Sequence, residues 1–202
     1  LIGAEPTMRD DLPEIISTVK SLGHRPSVTT NGLKLAQRDY VKELKRAGLR
    51  LLLHSMNGAD CDEAYKQLDM GKWATVKVRA LNNIFAERLP INTGTIIARG
   101  INEYVLKRQV ELFAECAIAN GVNLDTTPPY NRITPVLRVK SVGSIGRFME
   151  GKAYDIEELI DLAVQDLGVD RADISQTSAG VVKAGPQSGE ALTSYMFPYE
   201  TQ

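Results

Sequence analysis

Short apolar or β-branched runs alternate with amphipathic helical segments along most of this chain, and each run ends in a cluster of polar or turn-forming residues. The runs end near Glu5, Thr30, Ser55, Arg99 and Ser141. This alternation constrains the fold more than any other feature. Consecutive parallel strands need a connection long enough to hold a helix, and such crossovers are right-handed in nearly every case. The expected class is α/β, either a doubly wound open sheet or a complete or partial (β/α) barrel. In both, polar residues at the carboxyl ends of the strands face the functional side.

The helical segments follow from spacing. Leu12, Ile15, Ile16, Val19 and Leu22 recur behind Asp10-Asp11, whose charge suits the positive end of a helix, and Gly23 closes the segment. Arg25 to Thr29 reads as an extended run that ends at Asn31-Gly32. Tyr40, Val41, Leu44 and Ala47 share one face of a second helix stopped by Gly48. Leu49 to Leu53 is a dense apolar run of strand length, which predicts a strand covered on both faces. Helical spacing resumes from Cys61 to Leu89 as a short and then a longer helix, the latter carrying Val76, Ala80, Leu81 and Ile84 and ended by Pro90. Thr93 to Ala98 predicts another strand and Tyr104 to Ala119 another helix. Thr126 to Asn131, with Pro128-Pro129, predicts a loop. Val136 to Val139 predicts the last strand, and Ile156 to Leu167 the last helix. Beyond Gly168 the chain is rich in Ser, Thr, Gly and Ala. Residues 1–168 are therefore expected to form the core and 169–202 a polar extension or the start of a further domain.

Composition narrows the function. With 202 residues, 43% of them hydrophobic, the chain can bury the core of one globular domain. Lys plus Arg number 24 against 25 Asp plus Glu, a net charge of −1 that offers no electrostatic footprint for nucleic acid. No apolar run approaches the ~20 residues of a membrane span. Cys61 and Cys116 are too few for a disulfide scaffold and too far apart for a zinc or iron–sulfur ligand set, which fits a reducing, cytoplasmic compartment. Leu1-Ile2-Gly3 reads as the end of a buried strand, so the sequence is expected to be a fragment truncated at its N-terminus.

The strand ends supply Glu5, Thr29, Thr30, Asn31, His54, Ser55, Arg99, Asn102, Ser141 and Ser144. The chain has no GxGxxG, P-loop, HExxH or GxSxG, so dinucleotide, nucleoside triphosphate, zinc-protease and serine-hydrolase chemistry all lack their physical parts. His54 is available either as a general base or as a hydrogen-bonded structural residue, and His24 falls in a solvated turn.

Several of these ends match one family in order. Gly3-Ala4-Glu5-Pro6-Thr7, followed by Arg9 to Ile16, resembles the Gly-Gly-Glu-Pro-Thr motif of radical S-adenosylmethionine (SAM) enzymes with its trailing helix. Thr29-Thr30-Asn31-Gly32 is similar to that superfamily's Thr-Asn-Gly strand end, and Ser55-Met56-Asn57-Gly58 to its Ser-x-Asp/Asn-Gly. Val78 to Ile84 resembles the helix that leads to the next strand, and Thr95 through Asn102 its Thr-x-x-x-Gly-x-Asn end. The likeness spans about residues 1–105. Arg99-Gly100-Ile101-Asn102 and Val139 to Arg147 are similar to a branch containing pterin-dimethylating and tetraether-lipid-forming enzymes, although the proline of that branch's Pro-Val-Ser-x-x-Gly-Arg segment is missing.

The resemblance implies a partial (β/α)6-type TIM-like barrel with parallel strands. It implies S-adenosylmethionine and a [4Fe-4S] cluster as cofactors, reductive cleavage of SAM to a 5′-deoxyadenosyl radical, and hydrogen abstraction from an unknown substrate. An electron donor such as ferredoxin or flavodoxin would be the partner. The carbonyls of Gly3 and Ala4 and the Glu5 carboxylate would accept from the methionyl ammonium, with Pro6 stiffening the turn. Arg99 or the Ser55 hydroxyl would meet the carboxylate, Ser141, Val142 and Gly143 would flank the adenine, and Thr30, Asn31 and Asn102 complete the motif. The plain readings beside these are an ion-pair role for Glu5, a solvated cation at Arg99 and turn formation by Thr30 and Asn31.

Two departures stand out. Ala4 replaces the family's second glycine, which leaves a backbone acceptor if Ala4 keeps a negative φ. The Cys-x-x-x-Cys-x-x-Cys loop that holds the cluster is absent, and Cys61 and Cys116 cannot replace three clustered thiolates. The alternatives are a noncatalytic α/β scaffold, or a metal-free (β/α) barrel lyase or isomerase using His54 and Glu5.

Overall fold

Four parallel strands, β1 (Ser27–Thr30), β2 (Leu51–Ser55), β3 (Ile91–Ile97) and β4 (Val136–Ser141), pair in chain order with no crossover between non-neighbours. The computed structural model describes residues 1–122, 136–142, 151–173, 175–177 and 194–196. A doubly wound sheet requires a reversal of strand order, and β1-β2-β3-β4 has none. Successive right-handed crossovers then place the connecting helices on one face, as in a (β/α) barrel, and the sheet is not closed.

Burial along the strands records that asymmetry. Val28 and Thr30, Leu52 and His54, and Ile91, Thr93, Thr95 and Ile97 are buried on the helix-covered face. Thr29, Leu51, Leu53, Ser55, Asn92, Gly94 and Ile96, on the opposite face, are half-buried or exposed. The expectation that Leu49 to Leu53 is covered on both faces is therefore corrected: Leu51 and Leu53 line the open face of an unclosed sheet. The N-terminal residues correct another. Ile2 is 83% exposed and Leu1-Ile2-Gly3 is no buried strand. Leu1 alone bridges β1, donating to the Ser27 carbonyl at 2.6 Å and accepting from the Thr29 amide at 3.0 Å, the pattern of a parallel neighbour.

The helices are α1 (Leu12–Ser21), α2 (Arg38–Ala47), α3 (Asp62–Asp69), α4 (Ala74–Ala86), α5 (Leu106–Ala119) and α6 (Ile156–Leu167). α2 stops at Gly48, whose φ of +97° a side chain would resist. α4 ends at Ala86, ahead of Pro90, and a single 3-10 turn at Glu103–Val105 precedes α5. Leu12, Ile16, Val28, Leu44, Leu52, Met56, Leu81 and Ile84 are fully buried in the core that these helices make with the sheet. Each contributes roughly 1.5–3 kcal/mol by leaving water. Phe85 and Phe113 meet edge-on at 5.3 Å, joining α4 to α5.

Leu1–Tyr154 and Asp155–Gln202 form two compact units. The second contains α6, whose first turn is closed by a reciprocal Asp155–Glu158 capping box, and an antiparallel pair, β5 (Ser175–Thr177) with β6 (Ser194–Met196). The loop expected at Thr126 to Asn131 lies outside the described residues. Among the described residues no helix is long and apolar enough to cross a membrane.

Candidate functional site

The carboxyl ends of β1 to β4 form one edge, and Glu5 is the hub of its first corner. Its Oε1 accepts from the Thr7 amide (3.0 Å), the Thr7 hydroxyl (2.7 Å) and the Thr30 hydroxyl (2.7 Å), and its Oε2 accepts from the Asn31 amide (2.6 Å). Burial raises the carboxyl pKa, but the bonds from Thr7, Asn31 and Thr30 together outweigh it and hold the group below the ordinary carboxylate range. Glu5 is thus an ionised staple that ties the Gly3–Thr7 turn to the end of β1. The turn itself corrects one expectation. Ala4 does not keep a negative φ: it lies at +36° beside Gly3 at +122°, a left-handed position, and its carbonyl nevertheless takes no hydrogen bond from the described residues, so the backbone acceptor remains. The four bonds on Glu5 over-determine the turn and keep Ala4 there at a cost of about 1–2 kcal/mol.

Asn31 continues the network. Its carbonyl accepts from Lys77 Nζ at 2.5 Å, and the same ammonium donates to the Ser55 carbonyl at 2.8 Å. Thr30 Oγ1 accepts from the Gly32 amide and Asn31 Oδ1 from the Leu33 amide, both at 3.0 Å, which shapes the turn after β1. Lys77 rises from α4, is 2% exposed, and has its pKa pushed down to about 8 by burial, against the pull of Asp69 and Glu5. A lysine in mid-helix carries no motif that marks it in the sequence. The available signal was its place in the stripe Ala74, Lys77, Leu81, Ile84, where every other member is apolar and buried.

Ser55 lies on the open face beside Gly94, its partner in register. Arg138 is registered with Gly94 and Lys140 with Ile96, adding two cations to that face. His54, one residue from Ser55, points to the helix-covered face. It is 1% exposed, and burial first, then Lys77, pushes its pKa down to about 3. The general-base role offered to His54 is therefore corrected: a neutral imidazole enclosed behind the sheet does not reach the open face.

The remaining residues form a second group. Asn102 is completely buried; its amide nitrogen donates to the Asn57 and Ile96 carbonyls and its oxygen accepts from the Ala98 amide, each at 2.8 Å. It holds the end of β3 to the turn after β2. Asn57 Oδ1 accepts from the Ile96 amide at 2.9 Å and its Nδ2 donates to Asp69 at 3.1 Å. The Arg99 guanidinium lies 4.1 Å from the Tyr154 ring centre and donates to the Ala153 carbonyl at 3.3 Å. Ser141 shares the helix-side parity of Ile97, and its hydroxyl accepts from the Tyr154 amide at 2.6 Å. The Val142 amide donates to the Ile97 carbonyl at 3.1 Å. Gly143 and Ser144 lie outside the described residues. Glu5, Thr30, Asn31 and Ser55 are thus joined through Lys77, while Arg99 and Ser141 gather around Tyr154 further along the same edge.

The residues present do not fit a [4Fe-4S] cluster. Cys61 Sγ lies 3.8 Å from the Tyr104 hydroxyl, Cys116 is buried against Asn82 at 3.3 Å, and among the described residues no group of three His, Cys, Asp or Glu could hold a metal. They do suit a zwitterionic amino acid. The Gly3 and Ala4 carbonyls take no hydrogen bond from the described residues, Ser55 is a hydroxyl on the open face, and a Cβ built at Gly94 meets only the His54 carbonyl, at 3.9 Å.

The profile of the Radical SAM superfamily matches residues 1–112, which includes β1 to β3 and the rim from Gly3 to Asn102. The chain belongs to the radical SAM superfamily. Among its relatives, the 7,8-dihydro-6-hydroxymethylpterin dimethyltransferase of Methanocaldococcus jannaschii is 42% identical over 57 residues, 28% of this chain and 11% of that protein. A probable GTP 3',8-cyclase of Methanococcus aeolicus is 35% identical over 99 residues, 47% of this chain and 32% of the relative. One from Saccharolobus islandicus is 33% identical over 124 residues, 61% and 38%. The chain therefore spans well under half the length of these curated radical SAM relatives. Two solved structures share the fold: TYW1 with a lysine-pyruvate adduct bound (TM-score 0.58, 19% identity, 88% of this chain and 51% of that one). The other is a domain of pyruvate-formate lyase-activating enzyme from Bacteroides vulgatus (0.56, 16%, 83% and 91%). The open parallel sheet is accordingly a partial TIM-barrel-like core of the radical SAM kind.

Proposed function

We propose that this chain is the SAM-holding part of a radical SAM enzyme core, working with a [4Fe-4S] cluster whose thiolates lie outside these 202 residues. When bound, that cofactor pair supplies a 5′-deoxyadenosyl radical for hydrogen abstraction, with an electron donor of the ferredoxin or flavodoxin kind and a reducing, cytoplasmic setting. The chain's own task is to bind, orient and keep water away. The observation that carries the reading is the Glu5 staple, which holds a Gly-Ala-Glu-Pro-Thr turn against the end of β1. In that position the Gly3 and Ala4 carbonyls are offered to an ammonium, and the negative Glu5 behind them favours a positive charge nearby. Ser55, on the open face, supplies a donor for a carboxylate.

The test is SAM binding by the full-length gene product, reconstituted under anaerobic conditions, with and without Glu5→Gln. An amide at position 5 must turn its NH2 toward Thr7, Thr30 or Asn31, breaking the staple, and affinity is expected to fall about tenfold or more. Unchanged affinity in a folded Glu5→Gln protein would overturn the assignment. A barrel lyase based on His54 is disfavoured by that residue's enclosure. Full-length protein that folds but shows no SAM affinity would favour a noncatalytic scaffold.

A further inference from the structure

The β1–β2 ladder ends at the pair Thr30 with His54. The next peptides are not joined to each other. Asn31 gives its amide to Glu5, and the strands part at the point where the rim begins. One side chain spans the gap: Lys77 Nζ donates to the Asn31 carbonyl at 2.5 Å and to the Ser55 carbonyl at 2.8 Å. We propose that Lys77 is a positioning residue of the cofactor rim, holding the ends of β1 and β2 at the separation that presents the Ser55 hydroxyl and the Gly3–Glu5 turn to one methionyl group. This rests on the SAM reading above and deepens it.

Enclosing an ammonium costs several kcal/mol unless it is well paired, and an apolar residue of similar length would fill the same stripe of α4 more cheaply. Around Lys77 the compensation is partial. The two carbonyls are neutral, and the Tyr65 ring on α3 lies 5.6 Å from Nζ. Asp69 on α3 and Glu5 act on it from a distance, and His54 on β2 faces it as an enclosed imidazole. Asn31 is thus clamped at both ends of its backbone, amide to carboxylate and carbonyl to ammonium. Charge on both flanks polarises that peptide and stiffens it. Loss of the Lys77 proton, which burial brings within reach near pH 8, would leave a neutral amine with weaker donors and loosen the clamp.

The experiment compares wild type, Lys77→Met and Lys77→Arg in the full-length protein. Amide exchange at Asn31 and Gly32 is expected to accelerate about tenfold in Lys77→Met while Leu52 and Leu53, inside the ladder, are unaffected. SAM affinity by equilibrium dialysis is expected to fall about tenfold in the same variant. The cofactor's amino group titrates in the same range, so the informative quantity is the difference between pH profiles. Wild type is expected to lose more affinity from pH 7 to 9 than Lys77→Arg, whose guanidinium keeps its charge. Wild-type affinity in Lys77→Met, or superimposable profiles for wild type and Lys77→Arg, overturns the proposal while leaving the SAM reading intact. A wild-type protein that does not bind SAM at all overturns both. Should Lys77→Met fail to fold, the profile comparison alone decides.

Discussion

The His54 ring occupies the space that a side chain on Gly32 would need: a Cβ built at Gly32 would stand 2.3 Å from both Cδ2 and Nε2 of His54. Gly32 also has φ of +79°, so two independent constraints select glycine at the turn after β1. The contact braces the turn that carries Asn31 against β2 from behind, on the face away from Ser55.

Gly32→Ala is therefore expected to destabilise the protein by roughly 3 kcal/mol, combining left-handed strain of about 1 kcal/mol with overpacking of about 1–3 kcal/mol. Urea unfolding measures it. In a His54→Ala background the steric part should vanish and about 1 kcal/mol remain. An equal loss in both backgrounds would mean that the ring is not what excludes a side chain.

His54 itself predicts a pH dependence. Its folded pKa of about 3 lies below the unfolded value of 6.5, so the native imidazole stays neutral while the unfolded one gains a proton. Its contribution is fully present above pH 6.5 and is lost as pH falls from 6.5 toward 3, at about 1.4 kcal/mol per pH unit. Carboxylates such as Glu5 add to the same trend, so the test is a difference. His54→Leu should have a shallower loss of stability between pH 6.5 and 4.5 than wild type. Parallel curves would show that His54 is charged in the native state.

The edge of the sheet was legible because apolar runs bounded by Glu5, Thr30, Ser55, Arg99 and Ser141 leave little choice about where strands stop. Which way each residue faces was not. Thr30 and Ser55 both fall at strand ends in the sequence, yet parity places Thr30 toward the helices and Ser55 toward the open face, a difference hidden in the sequence because consecutive leucines make β2 apolar on both sides. Lys77 was missed because a cation in mid-helix ordinarily reads as solvated, and only its apolar stripe said otherwise. Ala4 is a further case: residue type argues for negative φ, whereas the Glu5 staple holds it at +36°.

Ala4→Gly is accordingly expected to stabilise the protein by about 1 kcal/mol, since relief of left-handed strain exceeds the glycine entropy cost at such a position. Thermal unfolding would rise by a few degrees. A fall would show that Ala4 is not held at positive φ.

Asn57 and Asp69 give the last test. The family pattern accepts Asp or Asn at position 57, and here the residue is an amide whose Nδ2 donates to Asp69 at 3.1 Å while Oδ1 accepts from the Ile96 amide. Asn57→Asp keeps the second bond and replaces the first by two carboxylates in contact, with Asn57 only 5% exposed. Two such groups cannot both ionise without strong repulsion, so one must take up a proton at a raised pKa. The loss is expected to be about 2–3 kcal/mol at pH 8 and to shrink toward pH 5, where a shared proton restores a donor between them. Unfolding measured at both pH values checks this, and a penalty independent of pH would mean that the Asp69 carboxylate does not face position 57. Lys77 senses the same Asp69 charge, so Asn57→Asp should also raise the pH at which the rim loosens.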